Sequence, residues 1–419
     1  MNLASELQVD IDALMNELWQ LAAISESPDP PPTVTRIVFG EVDRRARQFV
    51  IGLCEQAGLT VRVDAIGNTF ARFSGSDAAA PAVGTGSHID AIPHAGMYDG
   101  TVGVLGGLEA IRALQRAGVQ PRRSIELILF TSEEPTRFGI GCLGSRLLSG
   151  SLSREKLAAL RDEAGDGVDA VRTAAGFAGD LGGVALAPDS YHAFVELHIE
   201  QGPELEAAKM PIGVVTAIAA PATLEFTLTG EGGHAGAVLM PRRRDALVAA
   251  AAMIGEIESL ARQSTSPDLV ATVGWLQVHP GAVNSIPSRV VFKLDLRDID
   301  GTNRDAVLST ITSAAERIAS ERRVALEWRI LNADPPAATS DEIVAAIERS
   351  ADSLSLGWQS MISRAYHDTL FMARVAPVGM IFIPCRGGVS HRPDEFSSPE
   401  AIAAGVKTLA LTLAQLAAK

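Results

Sequence analysis

The stretch 84–103, GTGSHIDAIPHAGMYDGTVG, constrains this chain most, because it sets two histidines, two aspartates and a cluster of glycines behind a short apolar run. Residues 82–87 read as a buried strand that delivers His88 at its carboxyl end. Asp90 is close enough to hold the other nitrogen of the same imidazole, the device that fixes a metal-ligating histidine in one tautomer. Asp99 then precedes a helix starting near Thr101, whose Val104, Leu105, Leu108, Ile111 and Leu114 recur at helical spacing. Taken alone, His88 and Asp90 read equally well as an ordinary hydrogen-bonded pair near a turn. The metal reading depends on residues later in the chain.

Around this stretch strand, helix and strand alternate over 82–87, 102–117 and 125–131, the pattern of a mostly parallel sheet covered by helices. In such sheets the ligand site lies off the carboxyl ends of the strands. Upstream, Ile11, Leu14, Leu18, Leu21 and Ala22 share one face of a helix over 10–24. The prolines at 28–32 end it, and a second helix over 41–56 leads to a strand-like 59–64 and a turn at Gly67-Asn68.

The strand 125–131 brings Glu133 and Glu134 to the same edge, in FTSEEPTRFGIGCLGSR. Adjacent carboxylates at a strand end point in different directions, so one can bind a metal while its neighbour faces a reacting water. A solvated acidic turn is the plainer reading of an isolated Glu-Glu, but the glycine-rich segment 139–144 that follows is a poor place for a mere charge patch. The strand 192–199 supplies His198 within VELHIEQGP. Alone, it reads as a satisfied core histidine; with Glu200, Gln201 and Gly202 after it, it suits a third ligand.

Beyond Gly213 the pattern changes. Strands at 223–229, 270–278, 289–296 and 324–330 and helices at 245–261 and 304–318 give a βαββαβ order, as in a ferredoxin-like α+β layer. The stretch 332–340, NADPPAATS, reads as the return linker. Helices near 341–351 and 399–417 then flank a strand at 378–383, which leads to His391 in CRGGVSHRPDE.

The chain has 419 residues, beyond one compact core, so two domains are expected. Its 47% hydrophobic and 21% charged content is that of a globular enzyme. A net charge of -14 disfavours nucleic acid, which needs a basic surface. No apolar run approaches the roughly 20 residues of a membrane span, and the N-terminus shows no basic region ahead of an apolar core, so no membrane partner and a cytoplasmic location are expected. Three scattered cysteines argue against both a disulfide framework and a thiolate metal site.

Collected, the candidate metal ligands are His88, Asp99, Glu134, His198 and His391. All are nitrogen or oxygen donors that a pair of divalent ions would accept: manganese foremost, with zinc, cobalt or nickel open. An aspartate shared between both ions leaves positions for water and a substrate carbonyl. Glu133 is placed to take a proton from that water and pass it to the leaving nitrogen.

The motifs SHID, YDGTVGV, TSEEPTRFGIGCLGSR, ELHIEQG, GGHAGAVLMP, NSIP and GVSH, in this order, resemble the metal-dependent amidohydrolases that act on ureido compounds. These are the allantoate and ureidoglycolate amidohydrolases and the N-carbamoyl-L-amino-acid hydrolases, within the aminoacylase and carboxypeptidase clan. The likeness runs from about Asp10 to the C-terminus. It implies the five ligands just named, with Asp99 bridging and Glu133 as catalytic base; Asp90 and His234 are expected to join Glu133 as catalytic residues. It also implies a di-metal catalytic domain formed by 1–212 and 331–419, and an inserted lid domain at 213–330 that pairs with its twin in a homodimer.

The resemblance further implies that His234, in GEGGHAGA, and Asn284, in PGAVNSIP, polarise the scissile carbonyl across the dimer, and that Arg297, in LDLRDID, clamps a substrate carboxylate. A bidentate guanidinium suits that task, and an imidazole can donate to an oxyanion. A surface ion pair with Asp295 or Asp298 is the plainer reading of Arg297. Gln201 is expected to add a hydrogen bond to substrate. EEPTRFG, VVTAIAAPA, ISRAYHD and MIFIPC are similar to the ureidoglycolate branch. Allantoate and carbamoyl-amino-acid enzymes more often show glycine where this chain has Pro135, and a small residue where it has Tyr366, ahead of His367 and Asp368. A tyrosine there narrows the pocket and offers a hydroxyl to a small hydroxylated substrate. The expected substrate is (S)-ureidoglycolate, an allantoate or N-carbamoyl amino acid being the alternative. The expected products are glyoxylate, ammonia and carbon dioxide.

Overall fold

In the computed structural model, which describes residues 3–419, the chain divides into two compact units. One comprises residues up to 216, 338–363 and 367–419; the other comprises 217–337 and 364–366. The chain mixes helices and strands in both units, with several sheets.

The first unit is built on a nine-stranded sheet in which Ile212–Ile218, Val378–Ile383, Tyr191–Ile199, Ala82–Ser87, Ile125–Leu129, Thr69–Phe73 and Thr60–Val63 are successive neighbours. The sheet is mixed rather than mostly parallel. Val378–Ile383, Tyr191–Ile199, Ala82–Ser87 and Ile125–Leu129 pair in parallel. On one side Ile212–Ile218 joins antiparallel, and on the other Thr69–Phe73 and Thr60–Val63 do. The physical reason is local: Thr69–Phe73 is reached from Thr60–Val63 by the tight turn at Gly67-Asn68, and a hairpin can only return antiparallel. Alternation of strand and helix identifies the parallel centre and is silent about such margins.

The central strands are apolar along their whole length because both faces are covered. The helix Thr101–Arg116 packs on one face and buries Val104, Leu105, Leu108, Ile111 and Leu114 completely. Each such side chain contributes about 1.5–3 kcal/mol of transfer free energy. Pro399–Ala417 lies against it and against Val378–Ile383. This last helix is long and apolar enough to cross a membrane, which the sequence reading did not expect, but most of it is buried inside the protein, so its apolar surface belongs to the core.

The parallel strands end in register. Ser87 is opposite Leu129, and Ile199 opposite Ile383. The residues that follow them, or close them, therefore emerge at one edge.

The second unit is an antiparallel sheet in the order Val270–His279, Arg289–Asp298, Ala220–Thr229, Ala325–Ala333, with the helices Ala246–Arg262 and Gly301–Arg322. Leu224, Phe226, Leu228, Phe292 and Leu294 alternate inward and meet Met253, Ile257, Ile311 and Ile318 of the helices. The chain returns to the first unit within the expected linker, between Ala337 and Ala338, but the stretch is not all loop: Asn332 and Ala333 continue the last strand, and Ala337–Ala338 form a further short one. His391, too, is not at a strand end but follows a 3-10 turn beyond Val378–Ile383.

Candidate metal centre

Five candidate ligands meet at the carboxyl edge of the parallel strands. His88 follows Ala82–Ser87 directly, His198 is the penultimate residue of Tyr191–Ile199, and Glu134 follows the turn after Ile125–Leu129. Asp99 stands just before the helix Thr101–Arg116. His198 Nε2 lies 3.2 Å from Asp99 Oδ1, and His88 Nε2 lies 3.6 Å from the same oxygen. His391 Nε2 lies 3.1 Å from Asp99 Oδ2 and 3.4 Å from Glu134 Oε1. Asp99 therefore divides its two oxygens between a His88–His198 cluster and a His391–Glu134 cluster, each with ligand atoms within 4.8 Å of one another.

The chemistry of this donor set suits cations. His88 Nδ1 lies 3.0 Å from the backbone carbonyl of Asp90, and His198 Nδ1 lies 2.9 Å from that of Ile199. A carbonyl only accepts, so each Nδ1 carries a proton, which leaves Nε2, on the side of Asp99, as the atom that would ligate a cation. Gly100 N–H, which donates to His198 Nε2 at 3.2 Å, agrees with that tautomer. An anionic oxygen buried there needs positive charge beside it, carried either by protons on the facing imidazoles or by cations in their place. A divalent ion held by each cluster would supply it.

In the chain alone protonated imidazoles answer that demand: burial works against their charge, yet Glu133 and Asp99 hold His88 well above the usual imidazole range, and Asp99 raises His198. Burial works against the charge of Asp99, yet the imidazoles of His198, His391 and His88 hold it well below the usual carboxylate range. The Asp99 carboxylate lifts His391 to about 9 against burial. Burial, reinforced by Asp99 and opposed by His391, pushes Glu134 up to about 7.

Asp90 does not hold His88 as expected. Its backbone carbonyl does, while its carboxylate, 3.7 Å from the ring at the nearest, accepts the N–H of Glu133 at 3.2 Å and of Glu134 at 3.0 Å. The reason is donor count: two buried N–H groups at the end of a strand need acceptors more than an imidazole already satisfied by a carbonyl. The glycine-rich segment completes the hold, since Cys142, Leu143 and Gly144 donate N–H to the carbonyls of Glu133, Ser132 and Thr131.

Glu133 points into the same space, its Oε2 3.8 Å from His88 Nε2 and its Oε1 3.5 Å from the Cys142 thiol. Burial raises its carboxyl well above the usual range; His88 opposes, and Glu134, Asp368 and Asp99 reinforce. A carboxylate so placed is a stronger base than one in water. Strained backbone clusters here, with Ser132, Cys142, Gln201 and His391 at φ of 57°, 56°, 56° and 59°. Gly100 is required by its position: at φ 65°, a Cβ would stand 2.5 Å from the His88 ring.

The expected substrate residues are placed as follows. Gln201 Nε2 donates to Asp99 Oδ2 at 2.9 Å and to Ser390 Oγ at 3.1 Å, so its amide serves the carboxylate first. His367 is buried, its ring 4.5 Å from that of His198 in an edge-on contact. The others lie in the second unit. There, His234 is exposed on a short strand paired with Ser285–Ile286, and Ala235 N–H donates to the Asn284 carbonyl, so His234 and Asn284 are neighbours. Arg297 makes the plainer contact, a fork to Asp295 at 2.7 and 3.2 Å, and donates to the Arg364 carbonyl at 2.8 Å. Tyr366 donates its hydroxyl to Asp334 and accepts from Asn332 Nδ2 at 2.7 Å.

Sequence reasoning missed a layer of buried acids. Glu196 accepts from Ser87 Oγ at 2.7 Å and Thr369 Oγ1 at 2.5 Å. Ser145 Oγ donates to Asp368 at 2.5 Å, and burial, with Glu196 adding to it, pushes Asp368 to about 8. One signal was available: strand alternation in VELHI puts Glu196 on the face of His198.

A family model described as Peptidase family M20/M25/M40 matches residues 84–415. A ureidoglycolate hydrolase of Arabidopsis thaliana is 53% identical, over 99% of this chain and 88% of that protein. An N-carbamoyl-L-amino acid amidohydrolase of Geobacillus stearothermophilus is 40% identical, over 97% of this chain and 98% of that one. The crystal structure of AtUAH in complex with (S)-hydroxyglycine is 51% identical and superposes with a TM-score of 0.91, covering 100% of both chains. With that model spanning most of its length and full-length relatives at such identity, the chain belongs to peptidase family M20/M25/M40, hydrolases acting on amide bonds.

Proposed function

We propose that the chain hydrolyses the ureido amide bond of (S)-ureidoglycolate. One water is consumed: ammonia leaves the carbamoyl carbon, and the remaining N-carboxy hydroxyglycine collapses to carbon dioxide, a second ammonia and glyoxylate. The observation that carries the reading is Asp99 sharing its oxygens between two imidazole-bearing clusters, with the Glu133 carboxylate alongside. The likeness to a structure holding (S)-hydroxyglycine, the amine this cleavage would liberate, supports the substrate.

His88, Asp99, Glu134, His198 and His391 would hold two divalent ions, manganese foremost. Such ions polarise a carbonyl and lower the pKa of a water. Glu133 takes the proton of the attacking water on its carboxylate and delivers it to the departing nitrogen. Asp90 keeps Glu133 and Glu134 facing their tasks through their backbone N–H groups. Gln201 steadies the Asp99 oxygen that faces His391. In the second unit, Arg297 would exchange Asp295 for the substrate carboxylate, and His234 with Asn284 would donate to the carbamoyl oxygen of a twin subunit. Tyr366 and His367 would bound the pocket. The units then act as a catalytic domain, expected at 1–212 and 331–419 and found up to 216, at 338–363 and at 367–419, and a dimerising lid, expected at 213–330 and found at 217–337 and 364–366, in a cytoplasmic enzyme.

The test is a substrate panel with manganese, reading ammonia and glyoxylate from ureidoglycolate beside allantoate and N-carbamoyl amino acids. Turnover of either of the latter, and none of ureidoglycolate, would move the assignment to that substrate.

A further inference from the structure

Glu395 lies just beyond His391, in the run HRPDE, and is 2% exposed. Its Oε1 accepts the backbone N–H of both Tyr98 and Asp99 at 3.0 Å. Its Oε2 accepts from Ser390 Oγ at 2.8 Å, and that hydroxyl lies 3.4 Å from Asp99 Oδ2, the oxygen facing His391. One buried carboxylate thus ties the main chain of Asp99 to the loop that carries His391.

Room has been made for this contact. A Cβ on Gly96 would stand 2.4 Å from Glu395 Cβ and 2.6 Å from its Oε1, so the chain passes there only as glycine. The placement is also electrically unfavourable, since burial and the nearby Asp99 charge push the Glu395 carboxyl up to about 7. Three donors on one side chain offset that cost.

The two clusters differ in how they are held. His88 and His198 sit at the ends of paired central strands. His391 sits in a loop, half exposed, at positive φ, after Gly387 and Gly388, which are also at positive φ. Its position relative to Asp99 has to be fixed from outside the sheet.

We propose that Glu395 is a positioning residue that sets the affinity of the second cation site, Asp99–Glu134–His391, with little effect on the first, His88–Asp99–His198. This rests on the two-cation reading above. Glu395 touches neither substrate nor cation; it acts through the backbone of Asp99 and through Ser390.

The test uses the full chain, stripped with chelator and titrated with manganese while free ion is followed by electron paramagnetic resonance. The unaltered chain should bind two ions. Glu395→Ala should weaken the second by about 10–100-fold, the usual effect of losing a residue that orients a ligand, and leave the first within about threefold. Glu395→Gln keeps an oxygen for the two N–H groups and an amide for Ser390 Oγ to accept from, so it should bind both ions within about threefold of the unaltered chain. Ser390→Ala should weaken the second ion in the same direction. Should Glu395→Ala fail to fold, Glu395→Gln and Ser390→Ala carry the decision. A single ion in the unaltered chain would overturn the two-cation reading and the proposal with it. Two ions there, with Glu395→Ala unchanged, with both its sites weakened alike, with Glu395→Gln weakened as much as the alanine, or with Ser390→Ala unchanged, would overturn the proposal alone.

Discussion

Asp90 accepts the backbone N–H of Glu134 at 3.0 Å, and the other oxygen of the same carboxylate takes the N–H of Glu133 at 3.2 Å. One side chain therefore aims both a candidate ligand and a candidate base. Replacing it with alanine strands two buried N–H groups, at about 1–3 kcal/mol each. Asp90→Ala should lower the melting temperature and weaken metal binding, whereas Asp90→Asn, which keeps one acceptor, should lose less of both. Thermal melts and metal content of the two variants check this; equal losses would mean that charge, not hydrogen bonding, is what Asp90 supplies.

Glu133 and Glu134 should separate cleanly. Glu133→Gln removes a proton acceptor and no ligand, so turnover should fall by about 10²–10⁴-fold with metal content unchanged. Glu134→Gln should lose metal. Loss of metal from the Glu133 variant would show that the two roles have been exchanged.

Chelation should destabilise the protein as well as silence it. A ligand that binds only the folded chain stabilises it by about 4 kcal/mol at a thousand times its dissociation constant. Removing metal should lower the melting temperature, and manganese should restore both melting and turnover. An unchanged melting curve after verified removal of metal would argue that the centre is held without ions.

Protons should compete at the second cluster. The Asp99 carboxylate keeps His391 protonated up to about 9, and burial with Asp99 keeps Glu134 protonated up to about 7. A cation there must displace both protons below about 7 and that of His391 between 7 and 9, so uptake releases protons and affinity climbs as pH rises toward 9. The chelated protein should show the opposite slope from His391: its folded pKa lies above the unfolded 6.5, so its contribution is complete below 6.5 and lost as pH rises through about 9. Calorimetry in buffers of different ionisation enthalpy counts the protons. Zero release at pH 7.5 would contradict the placement of His391 beside Asp99.

Gly100 offers a steric check on the first cluster. Gly100→Ala forces a side chain onto φ 65° and a methyl within 2.5 Å of the His88 ring. The expected result is a folded protein that has lost affinity at the His88–His198 side, visible in the same metal titration. Full affinity would mean that His88 has room to move without consequence.

By itself the sequence determined the elements and the candidates. Apolar runs and helical spacing place Ala82–Ser87, Thr101–Arg116 and Tyr191–Ile199 because burial of those periodic faces is local information. Residues at strand ends are legible for the same reason, since strand length alone puts His88 and His198 at an edge.

Which atom faces which was decided only by tertiary structure. Asp90 turns its carboxylate to Glu133 and Glu134, Gln201 turns to Asp99, and Glu395 reaches the backbone of Asp99. Each partner lies far along the chain, and each choice follows from which buried donors remain unsatisfied once the strands have paired. Periodicity carries no record of that. The mixed margins of the sheet were hidden likewise, because parallel or antiparallel pairing depends on where a strand returns, not on the residues inside it.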